Sequence, residues 1–399
     1  MRKALYLSFL LFYGYAGFAQ DFPVTPPPPP RNSVLQVLQT LTPSRRGTTK
    51  SVVGENGPSS LPLSLRAVRI QRNAAGTEGN ICTDDPDSCL GFRVLESLGK
   101  GSYGEVRQWE FTASDESTDE STVSLAVKSS LSSGASVNEN TKLIIMKLRN
   151  LHYSDLLGRV YVNIPTHIFV LEDESGPPSP PFIGLPYARH GDLSRYKARI
   201  KREGKQLSLQ EIIRVLCQVI LGLDALHSEK CGIIHHDIKP ENILISKVTS
   251  EGKIVEISIT DHDRGCPTSE IKQKKNQGTV KYMAPEKISN DSNTPEVDLF
   301  SVGITGLSLM DEDDIFYQET DGEILIFQVA RMYRARFFTP YETALGERIK
   351  EAATEEERHR LAFIAEYILP LVDPTPTVRS EAALRLVEDH FSSAATSTP

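Results

Sequence analysis

The segment Ile234–Leu244 constrains this chain more than any other part of its sequence. It carries His235, Asp237, Lys239 and Asn242 in the pattern H-x-D-x-K-x-x-N, with apolar, strand-like residues on both sides. The spacing places a carboxylate, an ammonium group and an amide on one short loop. Together these groups can orient a hydroxyl, meet an anion and hold a divalent cation.

Length and charge limit the class of protein. A chain of 399 residues has room for one large domain or for two to three smaller ones. Its net charge of -8 argues against nucleic acid as a partner, because general nucleic-acid binding requires a basic footprint. Residues 20–85 are rich in Pro, Ser, Thr and Arg, and they include a run of prolines. We predict a disordered, basic arm there.

The first 19 residues predict a secretory signal peptide. Arg2 and Lys3 precede an apolar stretch from Ala4 to Phe18, and small residues allow a cut before Gln20. The alternative is an uncleaved membrane anchor, but the stretch is shorter than the roughly 20 residues that span a bilayer. We therefore expect a protein that enters the secretory pathway and is secreted.

Entry into that pathway makes disulfides possible. The chain has five cysteines, so at least one stays unpaired if every bridge is internal. Cys82 and Cys89 are close in sequence, and we predict a local bridge between them. Cys217 lies in an apolar helical run, which predicts a small core residue.

From about Phe92 the pattern becomes that of a globular domain. Strand-like runs come first, and helical patterns follow from Leu209–His227 onward. Strands followed by helices predict an α+β fold with two lobes, a β-rich small lobe at 86–186 and an α-helical large lobe at 187–392. The predicted strands are Phe92–Leu98, Glu105–Phe111, Val123–Lys128, Val160–Ile164 and Phe182–Leu185.

A glycine-rich loop lies between the first two predicted strands and has the pattern G-x-G-x-x-G-x-V. Glycines leave room for backbone N–H groups to approach phosphate oxygens. A dinucleotide-binding fold would use a similar motif, but a helix would then follow it, and here a strand follows. The loop comprises Gly99, Lys100, Gly101, Ser102, Tyr103, Gly104 and Val106.

In this order, the glycine loop, Ala126-Val127-Lys128, the loop at 235–242 and the segment Gly278–Glu286 resemble the elements of eukaryotic-type Ser/Thr protein kinases. The resemblance covers about Phe92 to Phe391. It implies a two-lobed kinase fold, ATP and Mg²⁺ as cofactors, and protein substrates. Lys239 and Thr279 are typical of kinases that phosphorylate Ser or Thr rather than Tyr.

The resemblance also assigns roles to residues of the catalytic loop. Asp237 would orient the acceptor hydroxyl and accept its proton, and Lys239 would stabilise charge on the transferring group. Asn242 and Asp261 would hold Mg²⁺.

Other residues would contact the nucleotide. Lys128 would grip the phosphates and pair with Glu139, the only acidic residue between positions 129 and 150. Besides the glycine loop, the contacts would come from Ala126, Leu185, Tyr187, Ala188, Asp192 and Leu244.

The metal-binding element departs most from the family pattern, which is D-F-G. With Asp261 as the ligand, His262 replaces Phe and Asp263 replaces Gly. A second register uses Asp263, Arg264 and Gly265. We prefer Asp261, because an apolar strand approaches it.

Three further residues are predicted to support the site. Thr279 would bond toward Asp237 and Lys239, Asp298 would brace the catalytic loop from behind, and Arg379 would pair with Glu286.

His236 stands where most of these kinases carry Arg. A neutral His offers little charge to a phosphate, so we expect activity without phosphorylation of the activation segment. With the signal peptide and the basic arm, this makes the chain similar to the rhoptry kinases that apicomplexan parasites secrete into host cells. That similarity implies a host or membrane-associated partner for the arm. The competing hypothesis is a secreted pseudokinase, which binds nucleotide or a partner without transfer.

Overall fold

A computed structural model describes residues 69–73, 77–82, 89–101, 104–113, 122–130, 139–152, 154, 156–169, 182–270, 278–288, 294–312, 319–320, 323–324, 333 and 338–395. The predicted signal peptide and most of the predicted arm lie outside these residues. The chain divides into two compact units. One contains the described residues up to 113 and 122–130, together with 165–187, and the other contains 138–164 and the chain from 188 onward.

The first unit is built on a seven-stranded sheet, whose strand order is β1-β2-β3-β4-β5-β7-β6. Every neighbouring pair in it is antiparallel. The strands are β1 Arg69–Arg72, β2 Glu78–Cys82, β3 Cys89–Gly101, β4 Gly104–Ala113, β5 Val123–Ser130, β6 His167–Phe169 and β7 Phe182–Pro186.

Aromatic side chains form the buried face of this sheet. Trp109 and Phe111 alternate along β4, so both point to the same face. Phe92 on β3 lies opposite Phe111, and its ring stacks on Trp109 with centroids 4.8 Å apart. The strands predicted at 92–98, 105–111, 123–128 and 182–185 lie within β3, β4, β5 and β7.

Strands β1 and β2 lie in the segment predicted to be an arm. Arg69 pairs with Cys82, and β2 in turn pairs with β3, so backbone hydrogen bonds extend the sheet by two strands. Local composition did not reveal these strands, because the pairing is made with residues that follow in sequence. Cys82 and Cys89 lie opposite each other in the ladder, while their side chains lie outside the described part of the chain.

The second unit is mainly helical. Its helices are α1 Glu139–His152, α2 Leu193–Arg202, α3 Leu209–His227, α4 Pro285–Ile288, α5 Glu296–Leu309, α6 Thr339–Glu351, α7 Glu355–Phe363, α8 Leu369–Leu371 and α9 Pro376–Ala395. A π-helix at Ile364–Ile368 joins α7 to α8. Its short strands are β8 Ile233–Ile234, β9 Ile243–Val248, β10 Ile254–Ile259, β11 Cys266–Pro267, β12 Glu319–Thr320 and β13 Glu323–Ile324.

Helix α3 lies at the centre of this unit and has the bounds that its apolar pattern predicts. Ser208 and Glu211 form a reciprocal cap at its N-terminus. The helix is apolar on nearly every side and is buried against β10, α5 and α9. Cys217 is one of its buried residues, as predicted.

The prediction of a strand at Val160–Ile164 is wrong. The chain makes a 3-10 helix at Leu157–Tyr161, followed by a single bridge between Val162 and Ile259. Gly158 explains this, because its Cα lies so close to helix α3 that an added Cβ would be 1.8 Å from the carbonyl oxygen of Leu221. The close approach requires a compact turn where the apolar run alone predicted an extended chain.

Helix α1 groups with the second unit, although residues 86–186 were assigned to the small lobe by sequence. It packs against α3 and β11, and Asn140 Nδ2 donates to the carbonyl oxygen of Gly265 at 3.3 Å. In the part of the chain that the structure describes, no helix is long and apolar enough to cross a membrane.

Candidate active site

Two short pairs of strands hold the catalytic loop in the second unit. Strand β8 enters the loop and pairs with β11, and the loop leaves through the Pro240–Asn242 turn into β9. Strand β9 pairs with β10, so Ile243 lies opposite Ile259. The ends of both pairs therefore come to one place, where 235–242 and 260–265 are neighbours.

Asp298, at the start of α5, anchors the loop from behind. Its two carboxylate oxygens accept the backbone N–H groups of His235 and His236, each at 2.8 Å, and His227 Nε2 at 2.8 Å. Burial of Asp298 is complete and by itself opposes ionisation, but the hydrogen bond and charge of His227 outweigh it and hold the pKa of this carboxyl below its usual range. The predicted brace is confirmed.

His235 orients Asp237. Its Nε2 lies 2.9 Å from the carbonyl oxygen of Thr260, so this nitrogen carries the proton. Its Nδ1 then accepts the backbone N–H of Asp237 at 3.3 Å. The two contacts together specify a neutral tautomer that ties the catalytic loop to the end of β10.

Asp237 is the centre of the hydrogen-bond cluster. Thr279 Oγ1 donates to Oδ1 at 2.7 Å, and Lys239 Nζ lies 3.0 Å from Oδ2 and donates to Thr279 at 2.8 Å. Asn242 Nδ2 donates to the backbone carbonyl of Asp237 at 2.7 Å and to its Oδ2 at 3.1 Å. Burial opposes ionisation of Asp237, but the Thr279 and Lys239 hydrogen bonds prevail, so its pKa lies below its ordinary value.

Asn242 and Asp261 lie at adjacent ends of the β9–β10 pair. The backbone N–H of Thr260 donates to the carbonyl oxygen of Asn242 at 3.0 Å, which brings the two positions together. Because Asn242 Nδ2 donates to Asp237, its Oδ1 is the side-chain oxygen that could accept a metal ion. An amide oxygen and a carboxylate are the hard oxygen donors that Mg²⁺ prefers, so the residues present fit this ion.

The backbone differs between the two candidate metal ligands, Asp261 and Asp263. Asp261 has φ 60 and ψ 59, in the left-handed region, and a 3-10 turn His262–Arg264 follows it. Asp263 has no positive φ. Asp is one of the few residue types that tolerates the left-handed conformation seen at position 261. His262 is buried with its ring edge against the ring of His235, at 5.1 Å between centroids.

His236 is buried and also left-handed, with φ 69. Its Nε2 lies 3.0 Å from Sγ of Cys266, and among the described residues its Nδ1 has no hydrogen-bond partner. Burial, with the charge of Lys287 as the next cause, lowers its pKa to about 3, so the side chain is neutral. Gly278 passes so close that an added Cβ would be 2.4 Å from the carbonyl oxygen of His236.

The glycine loop belongs to the first unit, where β3 and β4 form a tight hairpin. Gly101 pairs with Gly104 across it, and Ser102 and Tyr103 at its tip lie outside the described residues. Val106 lies opposite Lys128, and Ala126 lies opposite Leu185. The ladder therefore puts these predicted nucleotide contacts side by side on one sheet, with Gly99 opposite Val106 and Lys100 opposite Glu105.

The remaining predicted nucleotide contacts follow β7. Tyr187 ends the first unit and Ala188 begins the second, where the carbonyl oxygen of Ala188 accepts the N–H of Gly191 at 3.1 Å. Asp192 caps helix α2 by accepting the N–H of Arg195 at 2.8 Å, and its backbone forms a bridge with Leu244. Glu139 begins helix α1, but its side chain lies outside the described part, so its pairing with Lys128 stays a prediction.

The protein kinase domain family matches residues 92–392. The chain belongs to this family. It is similar to the serine/threonine-protein kinase PLK4 of Nematostella vectensis, with 26% identity over 231 residues, 56% of this chain and 20% of PLK4. It is also similar to STE20 of Saccharomyces cerevisiae, with 25% identity over 323 residues, 75% of this chain and 31% of STE20. A shorter match, to the serine/threonine/tyrosine-protein kinase HT1 of Arabidopsis thaliana, has 31% identity over 119 residues, 30% of this chain and 28% of HT1. In each case the match spans less than a third of the relative's own length.

The kinase domain contains two cations near Asp237 to which the sequence pattern assigned no role. Arg264 Nε lies 3.6 Å from Asp237 Oδ2, and its guanidinium donates to the carbonyl oxygen of Gly278 at 3.2 Å. Lys287 is buried, and desolvation lowers its pKa to about 8. No local motif marks either residue; the available signal was that Arg264 follows the metal-binding element and that Lys287 follows Glu286.

A buried ion pair joins the end of the activation segment to helix α9. Arg379 makes two bonds to the Glu286 carboxylate, at 2.5 and 2.9 Å, and it also donates to the carbonyl oxygens of Asp373 and Pro374. Neither charge is left without partners, which is the condition under which a buried pair is tolerated. The predicted pairing is confirmed.

Proposed function

We propose that this protein is a secreted Ser/Thr protein kinase that transfers the ATP γ-phosphoryl group to protein hydroxyls. The observation that carries the proposal is the cluster around Asp237, in which Thr279 and Lys239 hold the carboxylate ionised and Asn242 donates a hydrogen bond to it. An ionised carboxylate with fixed orientation can accept a proton from an acceptor hydroxyl.

The residues divide the work of transfer between them. Asp237 orients the hydroxyl, and Lys239, bonded to both Asp237 and Thr279, presents positive charge to the anion that moves past it. Lys128 and the glycine hairpin hold phosphates, while Asn242 and Asp261 hold the metal. Bound Mg²⁺ supplies positive charge that offsets the charge of the phosphate oxygens. Most of the rate then comes from positioning and electrostatic stabilisation.

A radiolabelled ATP transfer assay with Mg²⁺ tests the proposal. We expect incorporation into a generic protein substrate or into the kinase itself, and we expect Asp237→Ala and Asp261→Ala to reduce it by about 100-fold or more. Asp263→Ala is the matched control, because it removes a carboxylate two residues away. Transfer that survives in Asp261→Ala but not in Asp263→Ala would reverse the register.

The rival function is that of a pseudokinase, which binds nucleotide or a protein partner without transfer. The Asp261-His262-Asp263 element favours it, because the family pattern has Phe and Gly after the metal ligand. Wild-type protein that binds ATP by calorimetry but transfers no label would support this function instead.

Export is the second part of the proposal, and it rests on the charged start and apolar stretch of residues 2–18. In a eukaryotic expression host, the chain should appear in the medium with a new N-terminus at Gln20. Deletion of residues 2–19 should retain it in the cell. Delivery to a host cell, and a membrane-associated partner for the basic arm, remain predictions that depend on this step.

A further inference from the structure

Helix α2 and its flanks carry an unusual charge for this chain. Residues 189–205 hold seven Lys or Arg and two Asp or Glu, although the chain as a whole has a net charge of -8. Arg195, Arg199 and Arg202 are spaced by four and three residues, so they form one stripe along the helix. All three are exposed, whereas Tyr196 and Ile200 of the same helix are buried.

The cations of this helix differ in whether a carboxylate neutralises them. Lys197 and Lys201 lie 2.8 and 3.6 Å from Asp311, and Lys205 lies 3.1 Å from Glu203. Arg195 is also paired, since its Nε lies 3.2 Å from Oδ2 of Asp192 at the start of the helix. Among the described residues, no carboxylate forms an ion pair with the three other cations of the segment, which are Arg189, Arg199 and Arg202. Arg199 lies over the ring of Tyr196, with 4.8 Å between Cζ and the ring centroid, and this contact leaves its charge available.

The stripe begins beside the catalytic loop. The backbone of Asp192, which caps the helix, forms a bridge with Leu244, and Ile245 N–H donates to the carbonyl oxygen of Gly191. The helix itself packs against the Pro240–Asn242 turn. Its ten residues extend roughly 15 Å from that point, which is the reach of about five residues of extended polypeptide.

We propose that Arg195, Arg199 and Arg202, here called the arginine stripe, bind an acidic segment of the protein substrate that flanks the acceptor Ser or Thr. This inference rests on the proposed transfer function and specifies its substrate class. Guanidinium groups pair with carboxylates through paired N–H donors. A substrate that carries Glu or Asp within roughly eight residues of its acceptor can reach the stripe while its hydroxyl lies at Asp237.

A polypeptide fits this surface better than other anions do. The helix that carries the stripe packs against the Pro240–Asn242 turn of the catalytic loop, so one polypeptide chain can extend from Asp237 to the stripe. No aromatic side chain of the stripe is exposed for base stacking, because Tyr196 is buried.

Peptide kinetics test the stripe directly. Four peptides each carry one Ser acceptor in a neutral background. The first has four Glu on the N-terminal side of the Ser, and the second has four Glu on its C-terminal side. The third has four Lys, and the fourth has no charged residue. The test variant is Arg199→Gln/Arg202→Gln. The matched control is Lys201→Gln/Lys205→Gln, which removes two exposed cations from the same end of the helix and so changes the net charge equally.

For the better acidic peptide, we expect the wild type to have a KM about tenfold below that for the neutral peptide. The test variant should raise this KM about three- to tenfold, since two solvent-exposed charge pairs are lost. Its kcat, and its KM for the neutral peptide, should not change. The control should stay within about twofold. An equal rise of the KM for the acidic peptide in both variants would show that the net positive charge of the helix attracts the peptide, whichever cations supply it. That result would overturn the proposal.

A binding measurement separates the stripe from the transfer function. Fluorescence anisotropy of the labelled acidic peptide, without ATP, should show affinity that falls with salt and falls again in the test variant. If the peptide binds in this way but no phosphoryl transfer is detected, the arginine stripe is an acidic-peptide site and the proposed kinase activity is rejected. If all four peptides are phosphorylated with equal KM, the kinase activity is supported and binding of acidic substrates by the stripe is rejected. Displacement of the peptide by RNA or anionic vesicles at equal charge concentration would also reject it, because the stripe would then be a general polyanion site.

Discussion

At the scale of single residues, Asp237 depends on groups from three separate parts of the chain. Lys239 follows it closely, Arg264 comes from the turn after the metal-binding element, and Thr279 comes from the end of the activation segment. Each lowers the pKa of the same carboxyl. The state of Asp237 is therefore a property of their packing and not of the catalytic loop alone.

Replacement of Arg264 tests this dependence. Arg264→Gln removes one positive charge near Asp237, so the pKa of Asp237 rises. Since the carboxylate is the active form, the acid limb of the kcat profile moves to higher pH, while the rate at pH 8 changes little. Profiles from pH 5 to 9 for wild type, Arg264→Gln and Arg264→Lys measure the shift. In Arg264→Lys the acid limb should lie close to its wild-type position. An unchanged acid limb in Arg264→Gln would show that Arg264 does not lower the pKa of Asp237.

His236 makes a second prediction, about stability. In the unfolded chain its pKa is near 6.5, whereas burial lowers it to about 3 in the folded protein. Between these values the unfolded state binds the extra proton, so acid favours unfolding. From pH 7 to pH 5 this group alone costs about 2 kcal/mol.

His236→Gln removes that titration. Urea unfolding at pH 7 and pH 5 should show a smaller loss of stability in the variant than in the wild type, by about 2 kcal/mol. All other ionisable groups are the same in both proteins, so their contributions cancel in the comparison. If the wild type and the variant lose the same free energy of unfolding between pH 7 and pH 5, His236 is not held neutral in the folded protein.

At the scale of elements, the 3-10 helix Leu157–Tyr161 and helix α3 show how tightly the second unit is packed. An alanine at 158 would place its Cβ 1.8 Å from one backbone atom of Leu221 and 2.6 Å from another. No side-chain rotation relieves a clash with backbone, so the two elements must separate.

Gly158→Ala should therefore destabilise the protein by about 3 kcal/mol. Gly346→Ala is the matched control, because Gly346 lies within helix α6 and an added Cβ meets nothing within 4 Å. That variant should be neutral or should stabilise by up to about 1 kcal/mol. Thermal or urea unfolding of both measures the difference, and two similar values would mean that the close contact is absent in solution.

At the scale of the whole molecule, the cysteines fall into a buried group and a pair that lies on adjacent strands. The side chains of Cys217, Cys231 and Cys266 are buried, and desolvation raises the pKa of Cys217 and Cys231 to about 12. Thiols in this state react poorly, because the thiolate is the nucleophile. Cys82 and Cys89 lie opposite each other on adjacent strands, as a bridge requires.

Alkylation by iodoacetamide with mass spectrometry checks this arrangement. Native protein from a secretory host should take up no label, because Cys82 and Cys89 are joined. Mild reduction should expose those two alone, and reduction with denaturant should expose all five cysteines. Label on Cys217 in the native protein would contradict its burial, and label on Cys82 without reduction would reject the bridge.

Much of this molecule could be predicted because its motifs are local. Strands at 92–128, helix α3 and the catalytic loop depend on residues within a few positions of one another, where spacing alone sets which side chains share a face. The contacts of Asp298, Thr279 and Arg379 were also predictable, since the family pattern fixes their order along the chain.

The sequence by itself determined the kinase family, the α+β fold and the identity of the groups around Asp237. Only the tertiary structure decided that Arg264 approaches Asp237, that the left-handed turn falls at Asp261, and that β1 and β2 extend the sheet. The physical reason is sequence distance. These features are contacts and backbone conformations that depend on packing between residues far apart in sequence. Local propensity and motif spacing therefore do not predict them.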